Sequence, residues 1–177
     1  AAKSAPKRGR SVNIFVLSEN PVEAAVMQCD QHVVKMPLES AQILCTAFEN
    51  GSAPYRWTHY KHPCGIWARS SCENFLWLVA HALALTEEYQ YRYRKVHKSR
   101  EVILWCREHS DEVIFPKQGL APFALAMPET YKCGDAVASY RNFYLHDKSR
   151  FAQWNHGRPM PEWYRMGITA CGNSNVL

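Results

Sequence analysis

The chain has no GxGxxG, GxxxxGK(S/T) or GxSxG segment. The common dinucleotide turn, the phosphate-cradling P-loop and the nucleophile elbow are therefore excluded, although rarer nucleotide or small-molecule sites need none of them. No two of its cysteines stand at CxxC spacing, which removes the strongest zinc and redox signatures. It has no apolar run of the 18 or more residues that a membrane-spanning helix needs, so no membrane partner is expected. No internal repeat is visible, and residues 1–11 contain no acidic side chain.

What is present is a globular composition, 47% hydrophobic and 12% aromatic over 177 residues. That length suits one domain with a real core. The formal charge is +5, but Lys3, Lys7, Arg8 and Arg10 concentrate it in the first eleven residues, which read as a flexible basic arm for nucleic acid or a protein partner. The remainder, 12–165, reads as one helical domain, and 166–177 as a C-terminal tail. The cysteine count is seven, an odd number with no secretory apolar stretch ahead of it. Reduced thiols in a cytosolic setting are the expectation.

Helical periodicity predominates. VNIFVL at 12–17 is a strand or a buried extended segment. Asn20-Pro21 starts a helix to about Gln28, with Asn as N-cap, Pro at N1 and Glu23 at N3. A second helix covers about Gln31–Phe48 with Pro37 inside it, where a bend is expected. A long third helix covers about Ile66–Arg94, a shorter one Ser99–Glu108, and a last one follows Asp135 as far as Trp154. Between them, 109–133 holds Pro116, Gly119, Pro122 and Pro128 and reads as a long irregular loop. The expected fold is mainly α, a single-domain bundle of four or five helices with at most one or two short strands.

The most informative stretch is HVVKMPLESAQ. At 100° per residue His32, Lys35, Glu39 and Gln42 fall within about 80° of one another, while Val33, Val34, Met36 and Leu38 occupy other directions. A base, an amine, a carboxylate and an amide thus share one edge of an otherwise apolar helix. Such a line suits a cleft, with Lys35 as a possible imine-forming amine and Glu39 as its proton partner. It equally describes a solvent stripe with an i,i+4 ion pair.

Two basic, ring-bearing clusters suit phosphate contact. One is RYRKVHKSR, with Arg92, Arg94, Lys95, Lys98 and Arg100; the other places Arg141, Lys148 and Arg150 near Tyr140 and Tyr144. His59, His62 and Cys64 resemble half of a zinc knuckle, but the second pair of ligands is missing. No metal or other cofactor is expected.

The segments VNIFVLSENPVEAAVMQCDQHVVKMPLESAQ, THYKHPCGIWARSSCENFLWL, EEYQYRYRKVHKS and PEWYRMG resemble a group of phage-encoded proteins labelled pyrimidine-dimer DNA glycosylases, over most of 12–165. Those proteins are in turn distantly similar to the phage endonuclease V enzymes, sharing a helical fold, a polar early helix with a proline, and an aromatic WY tail. The resemblance implies excision of a damaged or modified pyrimidine from DNA in a host-cell cytoplasm. The chain departs from the endonuclease V pattern in two ways. Those enzymes use an N-terminal α-amine, which the arm before Val12 displaces here, and their catalytic glutamate, two residues before a helix proline, is matched by Lys35. Their catalytic residues therefore do not carry over, and the amine is assigned to Lys35, the proton transfers to Glu39, and orientation to His32 and Gln42. Trp163 or Tyr164 would fill the space left by an extruded base. The alternative is a non-enzymatic nucleic-acid-binding or structural protein that relies on its arm.

Overall fold

A computed structural model describes residues 12–173. It is mainly helical. Five helices have nine residues or more: α2 (Asp30–Cys45), α4 (Cys72–Tyr93), α5 (Arg100–Glu108), α6 (Ala136–His146) and α7 (Glu162–Asn173). Two six-residue helices, α1 (Pro21–Val26) and α3 (Pro63–Ala68), complete the set. Pairing of extended backbone among the described residues is limited to one isolated bridge, Ser71 to Lys117. α4 forms the axis, with α1, α2, α3 and α5 packed on it, and α6 joins α7 at one end. None of the described helices is long and apolar enough to cross a membrane.

Local chemistry explains most boundaries. Asn20 caps α1 by accepting the Val22 and Glu23 N–H groups, with Pro21 at N1. α2 continues through Pro37, which withholds one backbone donor from Val33 without ending the helix. The long helix expected over Ile66–Arg94 is two helices. Ser71 takes an extended conformation and accepts the Asn74 N–H, starting α4 afresh, because a serine side chain competes for the backbone wherever a helix can restart. The last predicted helix stops at His146, and Lys148–Arg150 becomes a separate 3-10 turn. The boundary drawn at 165/166 falls inside α7, whose Tyr164 is fully packed against Trp154 and Tyr144.

Residues 12–17 are the less common solution of the two anticipated. They are buried and extended but join no sheet. Their backbone is satisfied by side chains instead: Asn13 N–H donates to Glu39 Oε2 (3.1 Å), Ile14 N–H to Asn13 Oδ1 (2.8 Å), and Leu17 C=O accepts from Arg141 Nε (3.0 Å). Buried backbone groups must find partners, and here the partners come from α2 and α6. This segment therefore carries Phe15 and Asn13 to the flank of α2.

Candidate functional site

A cleft of about 420 Å³ opens along α2. One wall is Gln31, His32, Lys35, Met36 and Glu39; the others are Asn13 and Phe15, the loop residues Ala126 and Pro128, and Phe143, Lys148, Arg150 and Phe151. Because α6 ends at His146, the following turn is free to bring Lys148 and Arg150 to the rim. Lys148 Nζ lies 4.3 Å from the Phe143 ring centre and 2.9 Å from Asp147 Oδ2. The result is a floor of rings under a ring of charges.

Lys35 and Glu39 form the central pair, with Nζ 3.3 Å from Oε1. The lysine side chain is 48% exposed and the glutamate only 7%. The two partners thus differ: the amine is at the mouth and the carboxylate is inside. Burial raises the Glu39 carboxyl above its ordinary value, opposed by the charge and hydrogen bond of Lys35, by the Asn13 N–H and by the charge of His59. Glu39 is consequently a carboxyl prepared to hold a proton.

His32 is a wall and not a titrating group near neutrality. Its ring stacks on Phe15 at 4.2 Å and is 4% exposed. Burial, with the charges of Lys148 and Lys35, lowers its pKa to about 3. Its Nδ1 lies 2.5 Å from Tyr144 Oη, which also accepts the Cys29 N–H (3.3 Å). Burial raises the Tyr144 phenol well above its usual value, so Tyr144 keeps its proton and donates it to Nδ1. The neutral imidazole then carries its own hydrogen on Nε2.

The stripe read from the sequence is only partly what lines this cleft. His32, Lys35 and Glu39 are brought together; Gln42, one turn further, is half-buried and outside the cleft. The wet strip of α2 is centred on Gln31, Val34, Lys35 and Leu38, with Val34 42% and Leu38 39% exposed. These two aliphatic residues were assigned to the core. The polar line therefore runs along the border between buried and exposed surface, which is where a cleft wall must lie.

Other assigned residues separate. Arg92 cannot meet a phosphate: its side chain is 0% exposed, paired with Asp30 and Glu88 at 3.1 Å each, and bonded to the Gln28 and Val26 carbonyls. Arg94, Lys95 and Lys98 are on the surface, and Arg100 is half-buried with NH1 on Thr86 Oγ1. Arg141 is used in holding Leu17 C=O and lies over the Trp163 ring. Tyr164 is buried, Trp163 half-buried, and neither lines the cleft, because Tyr144 packs between them and His32. They cannot replace an extruded base. Lys7, Arg8 and Arg10 lie outside the described residues. His62 caps its own helix by accepting the Cys64 N–H, while Cys64 Sγ turns to Asn13 Oδ1, so the three zinc-like residues do not converge.

Asn13, Phe15, Phe143 and Phe151 were not anticipated in the cleft. Asn13 had a signal, as the one polar residue in VNIFVL. The phenylalanines had none, because a core ring and a cleft ring have the same sequence pattern. Comparison with family models, with curated proteins and with solved structures finds no match.

Proposed function

We propose that this chain is a DNA-associated base-excision enzyme of the glycosylase and abasic-site lyase type, acting on a damaged or modified pyrimidine. Lys35 is its nucleophile and Glu39 its proton carrier. The observation that carries this reading is the Lys35–Glu39 contact of 3.3 Å at the mouth of a ring-walled cleft. The resemblance of residues 12–165 to phage proteins labelled pyrimidine-dimer glycosylases points the same way. At an abasic sugar, Glu39 takes a proton from the Lys35 ammonium and the freed Nζ lone pair attacks C1′ of the aldehyde. The carbinolamine then expels its oxygen as water, using the proton that Glu39 returns, and leaves a protonated imine. Loss of a C2′ proton to the carboxylate expels the 3′ phosphate. His32, neutral and stacked, shapes the wall and transfers no proton.

The ion pair itself favours a second reading. An ammonium held by a carboxylate is a phosphate contact rather than a nucleophile, and the chain would then bind nucleic acid without chemistry. Borohydride trapping separates the two. Protein is mixed with duplexes carrying an abasic site or a cyclobutane pyrimidine dimer, and the intact chain is compared with Lys35→Ala. A covalent adduct that disappears in the variant is the expected result. No adduct on either duplex, with folded protein that binds DNA, overturns the excision reading.

A further inference from the structure

Beyond the Glu39 end of the cleft lies the loop Tyr55–His62, which the excision reading does not use. It carries Arg56, His59 and Lys61, all exposed. The loop is a fixed feature. Tyr60 is sandwiched between the Trp57 ring (4.0 Å) and the Arg69 guanidinium (3.9 Å), Arg69 NH2 donates to the Tyr60 carbonyl (2.7 Å), and Trp57 Nε1 donates to the Phe48 carbonyl (2.8 Å). Its position beside the cleft follows from two contacts. Cys64, two residues past the loop, reaches Asn13 Oδ1 (3.6 Å), and Asn13 lines the cleft. His59 is close enough for its charge to act on Glu39.

The opposite end is also basic. The charge of Lys148 acts on His32, seven residues before Glu39 on the same helix, and Arg150 stands beside it on the rim. Seven residues at 1.5 Å each separate the two ends by about 10 Å. Successive stacked nucleotides of one strand advance only about 3.4 Å, so one phosphate cannot serve both ends. The intervening acids are Glu39, paired with Lys35, and Asp147, paired with Lys148. Arg56 and Lys61 form no ion pair among the described residues.

We infer that the cleft is a through-groove for one nucleic-acid strand, gripped at one end by Lys148 and Arg150 and at the other by Arg56, His59 and Lys61. The substrate is accordingly a polymer of several nucleotides and not a mononucleotide. The rings of Phe15, Phe143 and Phe151 lie under the middle of the strand, where a base can rest on them. This rests on the excision reading only for the chemistry at Lys35; the strand grip stands without it.

The test uses the full chain, an oligothymidylate and thymidine 5′-monophosphate, with binding measured across a salt series. Arg56→Ala/Lys61→Ala changes only exposed side chains, and its unfolding midpoint confirms that it folds. The expected result is strand binding much tighter than mononucleotide binding, and a log–log salt slope reduced by about 1.4 in the double variant, two phosphate contacts at about 0.7 each. An unchanged slope, or a mononucleotide bound as tightly as the strand, overturns the inference. Borohydride trapping on the same proteins keeps the two proposals apart. An adduct with an unchanged slope removes the grip and leaves excision; a reduced slope with no adduct removes excision and leaves the grip.

Discussion

α2 carries two ion-pair constellations little more than a turn apart, and they are built on opposite plans. At its start, Asp30 accepts from Arg92 NH1 (3.1 Å) and from the Asn155 N–H (2.7 Å), while Glu88 accepts from Arg92 and Arg158. Two cations face two anions, two carbonyls take the remaining guanidinium hydrogens, and the whole is closed to water. At Lys35 and Glu39 the charges are also paired, but the amine is half in solvent and the cleft faces it. The first constellation fastens α1, α2, α4 and residues 153–158 together. The second is left with unspent bonding capacity, and that difference marks it as the place where another molecule belongs.

The largest expected effect should sharpen this contrast. Arg92→Ala leaves Asp30 and Glu88 short of a buried partner and should cost about 3–5 kcal/mol of stability. Lys35→Ala, which removes a half-exposed cation, should change stability by less than about 1 kcal/mol. Urea unfolding of both variants reads the difference directly. Equal losses would abolish the distinction between a fastening and a site.

Acid should act next, and through the histidines. His32 and His81 are buried, with pKa values lowered to about 3 and about 4, each chiefly by burial. Both are neutral when folded but charge near 6.5 when unfolded, so the unfolded chain binds more protons between those limits. Their contribution is intact above about pH 6.5 and lost progressively as pH falls toward 4. Glu39, raised by burial, has the opposite sign above its ordinary value, and a single carboxyl opposes two large histidine shifts. The urea midpoint should fall steadily from pH 6.5 to 4.5, and imidazole NMR should find both rings neutral at pH 5. A His32 ring that titrates near 6.5 would contradict its placement in the cleft wall.

How much of this could be read from the sequence follows the same division. Asn20-Pro21, Asp135 and the proline-rich loop carry local signals, and the elements they announce are where they were expected. The Lys35–Glu39 pair was legible because i,i+4 spacing is itself geometry. Arg92 was misread because a basic run gives no sign of which member turns inward; its fate depends on Asp30, 62 residues away. Tyr164 was misread for a similar reason, since a proline-broken tail can still end in a packed helix. The cleft's far wall comes from residues 13–15 and 143–151, which only tertiary packing brings to α2.

Tyr144 lies between the two constellations, bonded to Cys29 beside the first and to His32 in the second. Tyr144→Phe keeps the ring and removes the hydroxyl, leaving the Cys29 N–H and His32 Nδ1 without that partner. A loss of about 1–3 kcal/mol is expected. The imidazole should also lose its fixed tautomer, which nitrogen-15 shifts of His32 would register. An unchanged spectrum would mean that stacking on Phe15 alone orients the ring.

Gln42 provides the smallest effect and the sharpest boundary. It shares the helix edge of His32, Lys35 and Glu39 by angle, yet it is half-buried and beyond the cleft. Angle places residues on a face, but a cleft has an end as well as a face, and here that end falls between Glu39 and Gln42. Gln42→Ala should therefore change stability by less than about 0.5 kcal/mol and leave borohydride trapping and strand binding as they are in the parent. His32, three residues before Lys35 on the other side, should not tolerate the same change, because its ring is packed between Phe15 and Phe151. If Gln42→Ala reduced trapping as Lys35→Ala does, the working groove would extend a turn further along α2 than its walls do, and the grip assigned to the loop Tyr55–His62 would have to include Gln42.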